Sequence, residues 1–212
     1  MEEKEFVFKR SFTDGKLRRL IFNEKNFSFE DKDFGNKLFT FFEKEEITDY
    51  RFGIRWIRFE FTYGREYQIF VRNKENKVIK ISFKSYFGRK KNILHKLYSD
   101  ILTELWNYYF EDIVNDFIDK HLNDEEFSIG DVLVKKNGVE LNVSGVFNQK
   151  KIAIPWDKIR TRAYNSYFSI YSIDNPSDIN RGYSYKEDWN TNVLHSVIRT
   201  LLKHKNIEIY EL

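Results

Sequence analysis

Cysteine is absent from the 212 residues, which removes disulfides, thiolate nucleophiles and thiolate-bound zinc or iron-sulfur clusters together. No run approaches the roughly 20 apolar residues that span a bilayer, so any membrane contact is expected to be peripheral. The start, Met1-Glu2-Glu3-Lys4-Glu5-Phe6, lacks the basic and then apolar order of a secretory signal, and with the missing cysteines this predicts a soluble, cytoplasmic protein. A charge surplus is lacking too. The chain has 36 Lys and Arg against 33 Asp and Glu, interleaved, which describes a solvated surface and not one built to hold a polyanion. There is no Gly-rich phosphate cradle, His-Glu-x-x-His helix or Ser nucleophile elbow. Catalysis of those classes loses its usual entry point, and neither cofactor nor metal is expected.

What the chain does have is aromatic mass, 21 Phe, 13 Tyr and 4 Trp, ample for a core. Up to residue 83, short runs rich in Phe, Ile, Val and Tyr are punctuated by turn signals such as Thr13-Asp14-Gly15 and Asn73-Lys74-Glu75-Asn76. They predict strands at 5–12, 17–23, 26–30, 38–42, 47–63 with a break or bend near Gly53, 66–72 and 78–83, paired in sequence as a meander. The period then changes. Leu94, Leu97, Tyr98, Ile101, Leu105, Tyr109, Ile113 and Phe117 recur at helical spacing, with no Gly or Pro from 89 to 122. Unbroken, that helix would run ~50 Å, capping one module and continuing as a connector to a polar exit at 123–126.

Strand patterns resume at 132–135, 139–143, 151–155, 159–164, 168–173 and 182–185. Asp188 or Asn190 offers an N-cap for a helix burying Val193, Leu194, Val197, Ile198, Leu201 and Leu202, and 207–210 reads as a terminal strand. The expected fold class is α+β, with two strand-rich modules, residues 1–122 and 123–212, joined by a long helix and each carrying a late packing helix. Two similarities point to internal duplication. Asn92-Ile93-Leu94-His95 and Asn192-Val193-Leu194-His195 are offset by 100, and Glu43-Lys44-Glu45-Glu46-Ile47 echoes Pro155-Trp156-Asp157-Lys158-Ile159. The duplication places Leu94 and Leu194 at equivalent buried positions.

A meander closed by a helix, with Lys136-Asn137-Gly138-Val139-Glu140-Leu141 followed by Ile154-Pro155-Trp156-Asp157-Lys158-Ile159, resembles the pleckstrin-homology-like fold of uncharacterised bacterial proteins with two such modules. The resemblance is closest over 127–203 and weaker over 5–110, and the terminal strand departs from it. Its motifs are structural, so it implies no active site. What it implies is a non-catalytic interaction or scaffold protein that recognises a protein or peptide at a sheet edge or in a groove between sheet and helix. Peripheral binding of anionic lipid or phosphate is the alternative, and a small enzyme with a cryptic site is the third reading.

For the lipid alternative the candidate residues are Lys9, Lys16, Arg18 and Arg19 around the first predicted hairpin, because the spacing of Lys9, Lys16 and Arg18 resembles the phosphoinositide-gripping pattern of some pleckstrin-homology domains. Among 36 basic residues such spacing arises easily, and a specific lipid site is not expected there. Arg89-Lys90-Lys91 opens a helix against its dipole and invites an acidic contact, or simple solvation. The four His are read as structural, and the acidic runs Glu43, Glu45, Glu46 and Asp124, Glu125, Glu126 as solvated ends. The stretch Tyr50-Arg51-Phe52 to Arg55-Trp56-Ile57-Arg58-Phe59 interleaves cations with aromatics as a nucleic-acid surface would. Alternation instead predicts aromatics inward and arginines outward, so a nucleic-acid partner is not expected.

Overall fold

The computed structural model describes residues 3–33, 39–144 and 149–209. They form an α+β protein with two strand-rich modules separated by a long joined helix and followed by a further helix. By packing, the compact units are Met1–Glu111 and Asp112–Leu212. The long helix therefore contributes to both, whereas a division at residue 122 by element order leaves it with the first.

In the first unit β1 (Lys4–Phe8), β2 (Arg18–Phe22), β3 (Asn26–Glu30) and β4 (Phe39–Glu43) form an antiparallel meander. A 3-10 turn at Lys44–Glu46 leads into a second meander of β5 (Ile47–Phe59), β6 (Thr62–Asn73) and β7 (Val78–Tyr86), which α1 (Lys91–Leu105) closes. The alternating strands bury one face each: Leu20 and Phe22, Phe27 and Phe29, Ile69 and Val71, Ile79, Ile81 and Phe83 are nearly or wholly inaccessible. From α1, Tyr98, Ile101 and Leu105 complete this core.

The helix continues without a break through a π-helical turn, Trp106–Phe110, into α2 (Glu111–Leu122). An α-helix rotates about 100° per residue, so three consecutive side chains cannot share one face; the wider turn lets Tyr108, Tyr109 and Phe110 all be buried. The Tyr109 hydroxyl donates to the carbonyls of Asn23 (3.1 Å) and Asn26 (2.7 Å), and Phe110 stacks on Tyr50 with centroids 3.8 Å apart. The turn thus ties the helix to the β2–β3 corner and to β5.

The second unit repeats the order. Strands β8 (Phe127–Ile129), β9 (Val132–Lys135), β10 (Gly138–Ser144) and β11 (Gln149–Pro155) make a four-stranded meander; a 3-10 turn at Trp156–Lys158 leads to β12 (Ile159–Ala163), β13 (Tyr167–Ser172) and β14 (Asn180–Ser184); α3 (Thr191–His204) follows. Backbone angles match as well as order. The residues before the 3-10 turns, Glu43 and Pro155, have φ/ψ of −66/149 and −67/153, and the residues before the helices, Lys90 and Asn190, have 55/19 and 58/22. Both late helices end alike: Asp124 and Asn206 take left-handed φ of 62 and 55, and Glu125 and Ile207 donate back to the carbonyls of Lys120 and Leu202, each at 2.9 Å.

Several expectations need correcting. Residues 47–63 are not one strand broken or bent near Gly53: Gly53 pairs in register with Gln68, and the chain reverses at Glu60-Phe61. Neither turn residue has a positive φ, so the reversal carries none of the Gly or Asn signature of the primed hairpin turns. Strand β8 was not expected, since three residues are too few to show a period. Residues 207–209 form no strand, although Thr161 donates to the Ile209 carbonyl at 2.9 Å; Tyr210 and, in the predicted fourth strand, Leu38 lie outside the described residues. Leu194 is buried but Leu94 only half-buried, because the first turn of α1 stands at the open end of its module. All six apolar residues expected on the buried face of the last helix are buried.

Candidate functional site

The residues picked out around the first hairpin do not converge on open solvent. Arg18 is 2% exposed; its guanidinium is ion-paired to Asp33, lies 3.7 Å from Asp14 and donates to the Lys32 carbonyl at 3.0 Å. Burial works against its charge, but these carboxylates outweigh burial and hold it more firmly protonated. Lys16 pairs with Glu30 at 3.0 Å. Arg19 pairs with Glu5, whose carboxyl is held below its usual range by that hydrogen bond. Lys9 is exposed. Three of the four cations are engaged by carboxylates of this same chain, a pairing that sequence spacing cannot show because the partners come from other segments.

Several of the other titratable candidates have structural partners. His195 stacks on Phe168 at 4.6 Å and meets the Tyr185 hydroxyl at 3.3 Å through Nδ1; burial, helped by Arg199, pushes its pKa down to about 4. His121 lies edge-on to Trp156 at 5.3 Å, and burial lowers its pKa. Trp156 is a buried anchor whose Nε1 donates to the Lys136 carbonyl at 3.0 Å. Glu46 accepts from the Glu43 amide at 3.4 Å, and Asp124 pairs with Lys136 at 2.6 Å. Among the described residues no group of three or more His, Asp or Glu is placed to hold a metal ion.

The exposed feature is the β5–β6 hairpin. Trp56 is 56% exposed, Phe59 76%, Phe61 88% and Tyr63 57%. The aromatics of β5 therefore divide: Tyr50 faces the core as alternation predicts, whereas Trp56, at the same parity, is left in water beside the start of α1. Its ring is flanked by the guanidinium groups of Arg65 at 4.3 Å and Arg58 at 5.9 Å.

Behind the hairpin, the β7–α1 loop is held in strained backbone. Phe87, Gly88 and Lys90 have φ of 52, 70 and 55, and a left-handed conformation costs a non-Gly residue roughly 1–2 kcal/mol. The Phe87 amide donates to the Tyr63 carbonyl at 3.0 Å, and the two rings meet edge to face at 5.4 Å. Between hairpin and helix start lies a groove of about 230 Å³, with Trp56, Tyr63 and Arg65 on one side, Gly88 and Lys91 on the other, and Gly64 and Ser85 beside them. Gly64 permits this close strand approach, since a Cβ there would collide with the Ser85 carbonyl oxygen. Phe12, on the β1–β2 loop, is 76% exposed and packs edge to face on Tyr86 at 5.4 Å. Among the described residues no carboxylate pairs with Arg58, Arg65, Arg89, Lys90 or Lys91, while Arg55 is bound to the buried Glu66 at 2.6 Å.

The second module shows what the fold itself requires. Tyr67, stacked on Phe83 and 6.1 Å from His95, corresponds to Phe168, stacked on Tyr183 and 4.6 Å from His195. The cross-strand partners are Ile54 and Ala163. Beyond those pairs the first module has 12 residues (55–66) and the second only 4 (164–167). At about 3.3 Å per residue, the first hairpin projects ~13 Å farther. No protein-family model matches the chain, and no characterised protein matches it in sequence.

Proposed function

We propose that the protein is a non-catalytic interaction protein whose binding surface is the overhanging β5–β6 hairpin of the first module, with the adjoining loops. The observation that carries this reading is the difference between the two copies of the fold: the second closes its meander without the extension, and the first adds one that leaves its largest side chains in water. Exposed apolar groups gathered in one patch, with cations around them, are the usual mark of a docking surface. Strain at Phe87 in the loop behind the hairpin adds support. The repeated order of four strands, turn, three strands and helix supports a pleckstrin-homology-like assignment for both modules.

The groove favours a second reading, an extended peptide laid beside α1 near the free edge of β5, with acidic groups toward Arg65 and Lys91. This is the protein-recognition mode anticipated from the sequence, placed at this hairpin. The test of the binding surface needs no partner. Phe59→Ser and Phe61→Ser should each change unfolding free energy by less than about 0.5 kcal/mol in urea melts. A loss above about 1.5 kcal/mol for either would show that the ring packs as part of the core, and the reading would fail.

A further inference from the structure

We infer that the hairpin inserts its aromatic tip into the interface of a membrane that carries anionic lipid. This rests on the reading of the hairpin as a binding surface and names what it meets. The argument is the order of side chains along the projection. Phe59 and Phe61, the two most exposed of the hairpin aromatics and wholly apolar, stand at the turn, Phe59 just before it and Phe61 within it. Next back, Tyr63 faces Arg58 across the ladder, and two rungs farther back on the same face Trp56 is paired with Arg65. Phe87, whose amide donates to the Tyr63 carbonyl, stands level with that rung, and the exposed cations Arg89, Lys90 and Lys91 follow it in the loop into α1.

An apolar tip, backed by amphipathic aromatics interleaved with arginines and then by a run of cations, matches what a bilayer presents along its normal: acyl boundary, interface and charged headgroups. A protein partner imposes no such grading. The tip is also convex, so a protein would need a pocket to receive it, whereas a lipid interface deforms around it. Beyond the last pair with β7, Gly64 with Tyr86, the hairpin runs on for two rungs and the turn. At about 3.3 Å per residue that is ~7–10 Å, which suits the depth of roughly 5–10 Å at which interfacial segments bury their apolar side. Arg58, one residue from Phe59, lies over Trp56 at 5.9 Å, the back-folding by which a long cationic side chain keeps its charge at the headgroups. Glu60 is the one group in the turn that opposes insertion. Phe12, at Tyr86, brings a further exposed ring from the β1–β2 loop.

The experiment is flotation of the full chain with vesicles of phosphatidylcholine alone and of phosphatidylcholine with about one-third phosphatidylglycerol, at low and physiological salt. The wild type is expected to float with the anionic vesicles and to keep part of that binding at physiological salt. Phe59→Glu with Phe61→Glu should weaken it by about 100-fold, and Arg65→Glu with Lys91→Glu by about 10-fold or more. Glu60→Gln should strengthen it. Brominated lipid should quench the wild type more than Trp56→Phe, a readout that requires no change at the tip. No wild-type binding to either vesicle at low salt would overturn the inference, as would binding indifferent to Phe59 and Phe61. If the serine variants of the tip keep wild-type stability in urea while vesicles do not bind, the hairpin stands as a docking surface and the membrane as its partner is rejected.

Discussion

Two residues one hundred positions apart show how much a single backbone angle can carry. Lys90 and Asn190 precede the two late helices with left-handed φ of 55 and 58, and the carbonyl of each accepts the amide of the fourth residue on, Leu94 at 2.9 Å and Leu194 at 2.8 Å. Asparagine tolerates that conformation and lysine does not, so Lys90→Gly should raise unfolding free energy by about 0.5–1 kcal/mol. A urea midpoint that stays put or falls at unchanged slope would show that the strain is relieved elsewhere. Another residue-level expectation concerns His195, whose folded pKa of about 4 lies below its ordinary value of 6.5. Between these values the unfolded chain binds the proton that the folded protein excludes. The stability due to the neutral ring is therefore complete above pH 6.5 and drains away as pH falls toward 4, by up to ~1.4 kcal/mol per unit. Urea melts across that window should show His195→Leu with a flatter pH dependence than wild type; parallel curves would mean the ring titrates normally.

At the scale of elements, the helices illustrate the difference between pattern and packing. Period alone predicted both, and in α3 the apolar stripe is buried along its whole length, with Val193, Leu194, Val197, Ile198, Leu201 and Leu202 inaccessible or nearly so. Leu194→Ala should therefore cost ~2–5 kcal/mol through lost transfer energy and a cavity, and a urea-derived cost below about 1 kcal/mol would place the side chain outside the core. Leu94→Ala, at a half-buried site, should cost clearly less than Leu194→Ala. The π turn was not legible, because Trp106-Asn107-Tyr108-Tyr109-Phe110 fits an ordinary helix until the hydroxyl of Tyr109 and the ring of Phe110 find their partners. Those partners, Asn23, Asn26 and Tyr50, are about 60 to 86 residues away in sequence.

For the whole molecule, duplication supplies its own control. Replacing residues 55–66 with the short Tyr164-Asn165-Ser166-Tyr167 connection should leave a folded protein, at a cost below about 3 kcal/mol in urea. The cut removes the same even number of residues from each strand, so every remaining side chain keeps its face, and it removes Arg55 and Glu66 as a pair. Collapse of the near-UV dichroism would show that the extension is part of the first core. Most of the order of the elements and its doubling could be read in the sequence, because periods of two and of 3.6 are local properties of backbone and side-chain type; the three-residue β8 and the reversal at Glu60-Phe61 could not. Nor could it be read which aromatics stay in water. Tyr50 and Trp56 share a strand, a parity and an arginine-rich neighbourhood; one is covered, with Phe110 stacked on it, and the other stands 56% exposed at the groove beside the start of α1. The same holds for Arg18, a phosphate-site candidate by spacing, which Asp33 and Asp14 enclose. Burial is a property of what the rest of the chain brings to a position, and only the tertiary structure decides it.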